Sequence, residues 1–202
     1  MTPPATDLRT RGRGDRGAGI VEFALVAPVL ILFLLGIMEY GMMYRESNQV
    51  EQGLMSAGRV AGQQSTAWTA DYETLRSLSS STNGLGRSTV KRVIIYKAPA
   101  DGKPPAGCLA INPTGTTAGV SGVCNVYNAT QMMNENPFAF SNISSCSGLF
   151  ASNWCALTRQ PQTDEIGVYV EMSYQRLTGI IPGTFTVKKW AVYDVEPFPI
   201  GS

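Results

Sequence analysis

Glu22 carries the most distinctive chemistry in this chain: it is a lone carboxylate near the mouth of an apolar run that extends from Ile20 to about Tyr44. A charge at that depth of a bilayer is costly unless a partner neutralises it. Ala18 stands four residues upstream, on the same face of a helix. A cut after Gly17 would therefore create an α-amino group placed to pair with Glu22 of its own chain or of a neighbour, and would remove Arg9, Arg11, Arg13 and Arg16. The other reactive side chains are the thiols of Cys108, Cys124, Cys146 and Cys155, all beyond the run in a region rich in Gly, Asn and Ser. An even count in such a setting reads as two disulfides, with Cys108–Cys124 and Cys146–Cys155 the simplest connectivity and the alternatives open. A structural zinc site would need close Cys-x-x-Cys pairs or histidines. The chain has neither.

The remaining composition excludes more than it offers. Histidine is absent, which removes the commonest neutral-pH general base and metal ligand together. There is no Gly-x-Ser-x-Gly and no phosphate-cradling glycine loop. Asp164 and Glu165 are adjacent carboxylates, but neighbouring strand residues point to opposite faces, so they read as a solvated strand start. The chain is therefore expected to be no enzyme and to need no cofactor or metal. With 16 Lys and Arg against 15 Asp and Glu the net charge is +1, and basic residues beyond the N-terminal tail are scattered singly. No nucleic-acid partner is expected.

Between Glu22 and Glu39 every residue is uncharged. These roughly 16 residues rise about 24 Å as a helix, against a bilayer core of about 30 Å, so both glutamates fall near the interfaces and the flanking residues complete a span. Tyr40 and Tyr44 suit the interfacial belt. Pro28 lies inside the span, where membrane helices tolerate it when packing compensates. The arginine tail keeps the N-terminus inside and sends the cysteine-bearing part out. A cleavable secretory signal fits less well, because the run is long and Glu39, Tyr40, Gly41, Met42 and Met43 offer no small-x-small site after it. The expected organisation is a basic leader over 1–17, a transmembrane helix over 18–44 in the lipid bilayer, and an extracytoplasmic domain over 45–202.

The stretch Gly17-Ala-Gly-Ile-Val-Glu22-Phe23 resembles the processing motif of type IV pilin-like proteins, and more closely the Gly-x-x-x-x-Glu-Phe form of the tight-adherence (Flp/Tad) pilus system. The longer GAGIVEFALVAPVLILFLLGIMEYG, with Pro28, Gly36, Glu39 and Gly41, is similar to the TadE-like domain of that system's minor pseudopilins. The C-terminal region from Glu165 to Pro197 resembles the usual end of TadE/TadG-type proteins, and Pro99 to Pro161 has no such likeness. The resemblance implies processing at Gly17 and Ala18 by a prepilin peptidase, helix packing through Glu22, Pro28 and Glu39, and partners among inner-membrane pilus assembly proteins and other pseudopilins. Gly19 offers a competing cut, and an uncleaved signal anchor is the alternative.

Past the membrane, Met43, Val50, Leu54, Ala57, Ala61 and Trp68 recur at helical spacings, so one helix is expected from about Gly19 to the region of Trp68. Gly58 and Gly62 read as tolerated glycines or as points of close approach for a neighbouring helix. Ser77 to Ser88 reads as a break and Val90 to Lys97 as a short strand. Cys108 to Gln160 reads as an irregular, disulfide-tied excursion with one short helix around Asn125 to Asn134. Glu165 to Gln175 alternates apolar and polar residues, predicting one dry and one wet face, and forms a hairpin with Thr184 to Val195. The expected fold is α+β: a long N-terminal helix on a small antiparallel sheet, pilin-like. The expected role is structural, in pilus assembly, with a membrane-tethered extracytoplasmic binding module as the alternative.

Overall fold

The computed structural model describes residues 15–64, 66–113, 118–136, 139, 153–161, 163–177 and 183–196. The chain divides into two compact units, Met1–Gly41 and Met42–Ser202. One helix, α1 (Asp15–Gln63), supplies the described part of the first unit and opens the second. There follow α2 (Ala70–Thr82), β1 (Ser88–Lys97), α3 (Ala106–Leu109), β2 (Gly119–Val120), β3 (Cys124–Tyr127), α4 (Ala129–Met132), β4 (Glu165–Gln175) and β5 (Thr184–Asp194). The strands form one antiparallel sheet in the order β2-β3-β1-β4-β5.

The outer part of α1 packs as its spacing predicts. Val50, Leu54, Ala57 and Ala61 are buried in one core with Val93 and Ile95 of β1 and Ile166, Val168, Val170 and Met172 of β4. The helix stops at Gln63, short of Trp68, which lies in the turn leading to α2. Its last turns press on β5. A Cβ on Gly58 would stand 2.1 Å from the Tyr193 ring, and one on Gly62 would stand 2.7 Å from the Asp194 carbonyl oxygen. Close approach is what these glycines permit, but the neighbour is a strand. The Gly62 carbonyl also accepts the Glu196 N–H at 3.1 Å.

Three expectations change. The Ser-rich stretch is helical up to Thr82, because Tyr72, Leu75 and Leu78 recur on one buried face. Its hydroxyls stay inside the helix: Thr74 donates to the Ala70 carbonyl (2.7 Å), Ser80 to Ser77 (2.8 Å) and Thr82 to Leu78 (3.0 Å). The excursion after Cys108 is less irregular than expected, since it contributes β2 and β3, and the helix near Asn125 is confined to α4. Asn128 caps that turn reciprocally, its Oδ1 accepting the Gln131 N–H (2.8 Å) while the Gln131 side chain accepts the Asn128 N–H (2.9 Å).

The third change concerns β4, which is covered on both faces. Ile94, Tyr96, Cys108, Cys124, Val126 and Tyr169 form a second core on the face predicted to be wet. Gly167 lies directly under the Tyr96 ring. Arg92 holds the covering segment down. Its Nε and Nη2 contact Glu171 at 2.8 and 2.6 Å while Nη1 donates to the carbonyls of Leu109 (2.6 Å) and Ile111 (2.9 Å). Burial, then the Glu171 carboxylate, pushes the Tyr169 hydroxyl up to about 12.

A buried polar cluster fastens α2 to β3. The Asp71 carboxylate accepts from Asn125 Nδ2 (2.7 Å), the Tyr127 hydroxyl (2.7 Å) and Arg159 Nη2 (2.5 Å). Asn125 Oδ1 accepts the N–H groups of Asn153 (2.8 Å) and Trp154 (2.7 Å), and Arg159 lies 4.4 Å from the Trp154 ring centroid. Burial first, and then Asp71, raises the Tyr127 hydroxyl well above its ordinary range. Among the described residues Arg159 Nε and Nη1 have no hydrogen-bond partner, which leaves the ion pair incompletely compensated there.

Three outcomes follow for the full-length protein purified in detergent. Gly58→Ala and Gly62→Ala lower the unfolding free energy by about 1–3 kcal/mol each through overpacking, read as a lower denaturation midpoint, whereas Gly41→Ala, where a Cβ meets nothing within 4 Å, costs nothing. Arg159→Met alone costs about 3–5 kcal/mol by leaving Asp71 without its counter-charge, and Asp71→Asn combined with it restores part of the loss in a double-mutant cycle. Asp164 gives a pH signature. Burial raises its carboxyl, but the Lys97 ammonium at 2.6 Å and the Gln160 N–H outweigh that and hold it below the ordinary range. Its folded pKa being depressed, its stabilisation is complete above about pH 4 and is lost as pH falls through the folded value. Asp164→Asn therefore flattens the acid limb of a stability-versus-pH curve, by a small amount because Lys97 is half exposed.

Candidate functional site

The residues from Gly17 to Gly41 form the candidate site, and their local structure follows from composition. An unbroken series of Leu, Ile, Val, Ala and Phe favours helix in an apolar medium, and α1 runs through Pro28 without interruption. The backbone places Gly17, Ala18, Glu22 and Phe23 within two turns, with Ala18 and Glu22 one turn apart on a shared face. All four are exposed, Phe23 to 70%. Pro28 follows within two turns of Glu22 and is exposed, while Glu39 stands about 25 Å further along the axis than Glu22 and is partly covered. The two acids therefore act at separate levels of the helix.

The side chains between them have little of their own chain to touch. Leu25 is 73% exposed and Phe33 66%, and Ile20, Leu34 and Ile37 are comparable. One helix in the described residues is long and apolar enough to cross a membrane, and none of its most apolar window is buried. Val29, Leu32, Phe33, Gly36, Ile37 and Tyr40 recur at spacings of three and four and line a shallow apolar groove. Gly36 forms its floor, with open space where a Cβ would stand. An apolar surface of this extent is unfavourable in water at about 25 cal/mol per Å2 and marks a site for lipid or for another apolar helix.

The cysteines belong to the second unit. Cys108 of α3 and Cys124 of β3 form a disulfide with S–S 2.02 Å, as the simplest connectivity anticipates. Cys155 is also disulfide-bonded, and its expected partner, Cys146, lies outside the described residues. The leader before Asp15 likewise lies outside them.

Glu46, expected to fall away from the apolar stripe with Arg45, Glu51 and Arg59, lies on it instead. It is buried, and both of its oxygens are engaged: Oε1 accepts the N–H groups of Gly86 (3.2 Å) and Arg87 (3.0 Å), and Oε2 accepts the Ser88 hydroxyl (2.5 Å). Its signal was available in the spacing, since Glu46 stands four residues before Val50 on the apolar stripe of α1. Asp71 and Arg159 offered no comparable signal, being paired across 88 residues of chain.

Residues 17–59 match the family model described as TadE-like protein. No curated protein and no solved structure matches the chain. The match begins at Gly17, takes in Ala18, Glu22, Phe23, Pro28 and Glu39, and ends on the outer part of α1. The matched segment, Gly17 to Arg59, covers the exposed apolar helix together with the first buried turns of its continuation, and over it the chain is similar to TadE-like proteins.

Proposed function

We propose that this chain is a minor pseudopilin-like membrane protein that takes part in assembling a tight-adherence (Flp/Tad) type pilus, with no enzymatic activity of its own. The observation that carries the reading is that the TadE-like match opens on a stretch of helix, Ile20 to Met38, whose large apolar side chains stay mostly exposed among the described residues. Such a helix is stable in lipid, and a carboxylate near its end favours a neighbour that brings a positive charge. On this reading the arginine tail stays in the cytoplasm, the second unit faces outward where its disulfides persist, and a prepilin peptidase cuts after Gly17. The new amine on Ala18 then answers Glu22 of the same helix or of an adjacent one. The partners are other pseudopilins and inner-membrane assembly proteins, which the helix meets through its apolar faces and the second unit through its surface.

The test separates an assembly helix from a plain tether. Exchanging residues 18–41 for an unrelated transmembrane helix of the same length, and separately making Glu22→Ala, is expected to reduce surface pili to the level of a strain lacking the gene while the protein stays in the membrane. Normal piliation with the exchanged helix would instead assign the chain as a tethered extracytoplasmic binding module. Intact-mass measurement on membrane-purified protein is expected to find Ala18 as the first residue.

A further inference from the structure

We propose that the cleft between α1 and the α2–β1 connection binds the phosphate of an acidic phospholipid through Arg45 and Arg87, a site that rests on the spanning helix but not on any role in a pilus. The cleft has a volume of about 290 Å3 and is lined by Met42, Arg45, Glu46 and Gln49 of α1 and by Gly86 and Arg87 of the connection. All of these belong to the second unit. Its construction leaves two cations with no carboxylate partner. Glu46 is the lone acid in the lining, and its oxygens are already taken by Gly86, Arg87 and Ser88. Gln49 is spent on the Ser81 carbonyl at 3.0 Å. Arg45 is exposed and Arg87 partly so, and neither guanidinium makes an ion pair among the described residues.

Depth selects the ligand. Arg45 lies six residues past Glu39, a rise of about 9 Å, and the headgroup layer occupies roughly the first 5–8 Å beyond the hydrocarbon core. The Arg45 backbone therefore stands just past that layer, and its side chain, leaning toward the helix N-terminus as helical side chains do, reaches back to the lipid phosphates, with Met42 on the side nearer the chains. Two arginines against one engaged acid give the lining a net charge of +1, complementary to a phosphate monoanion. Glu46 acts as the positioning residue, since its hold on the Arg87 backbone N–H keeps the connection against α1, where Arg45 and Arg87 line the same cleft.

The test uses the full-length protein extracted in mild detergent, exchanged into vesicles of phosphatidylcholine with or without phosphatidylglycerol, and read by native mass spectrometry of retained lipid. Wild type is expected to retain phosphatidylglycerol over phosphatidylcholine, and Arg45→Gln with Arg87→Gln to lower that preference roughly tenfold. Arg59→Gln, an exposed arginine of α1 outside the cleft, is expected to leave it unchanged. An equal loss in Arg59→Gln would mean bulk charge and would overturn the site. So would displacement of the lipid by millimolar inorganic phosphate, which would reassign the cleft to the free anion. Extraction of wild type from membranes by carbonate would overturn the spanning helix itself. Retention in the membrane without lipid preference would overturn only the cleft.

Discussion

Unburied apolar surface on the first half of α1 is the constraint from which the rest of the structure follows. Between Ile20 and Gly41 the helix presents large aliphatic and aromatic side chains that are half to three-quarters exposed. So large an apolar surface is unfavourable in water, and the helix that bears it is long and apolar enough to cross a membrane. The division of the chain at Gly41 and Met42 is the counterpart of that demand. A segment that gives its apolar face to a membrane contributes nothing to a water-soluble core, and the second unit must close its own.

It does so by using the continuation of the same helix as one layer. Val50, Leu54, Ala57 and Ala61 lie against a sheet whose central strands are buried on both faces. The glycines of α1 set how near the layers come, because Tyr193 and the Asp194 carbonyl occupy the space that side chains at positions 58 and 62 would fill. On the opposite face the segment from Ala98 to Ile111 folds over β1 and β4, with Ala118, Val120 and Val123 packed against the same core. The Cys108–Cys124 bond and the Arg92 contacts hold it there. The central strands β1 and β4 are thereby made dry on both sides by a covering with little regular structure of its own, while β5 stays largely exposed.

Polar groups do the fastening where apolar ones are scarce. Glu46 ties the connection before β1 to α1, and Asp71 ties the start of α2 to β3 and to the segment carrying Trp154 and Arg159. Each is a buried acid meeting several donors, an arrangement that disfavours alternative placements because a slipped neighbour leaves a charge uncompensated. The engagement of Glu46 has a second consequence, since it removes the acid that would otherwise neutralise Arg45 and Arg87.

Periodicity and composition by themselves determined the parts of this protein that depend on local chemistry. The apolar span and its lone Glu22, the alternating strand from Glu165 to Gln175 and its hairpin with the strand from Thr184 were legible because each is written in contiguous or regularly spaced residues, whereas the even cysteine count pointed to disulfides and the structure chose Cys108 with Cys124. The helix through the serines was hidden because Ser and Thr have weak helix propensity, and only burial of Tyr72, Leu75 and Leu78 against the core overrides it. Tertiary structure alone decided that the second face of β4 is dry, that Gly58 and Gly62 admit a strand, and that Asp71 meets Arg159. Those outcomes depend on partners tens of residues away, and a lone sequence carries no distance between them.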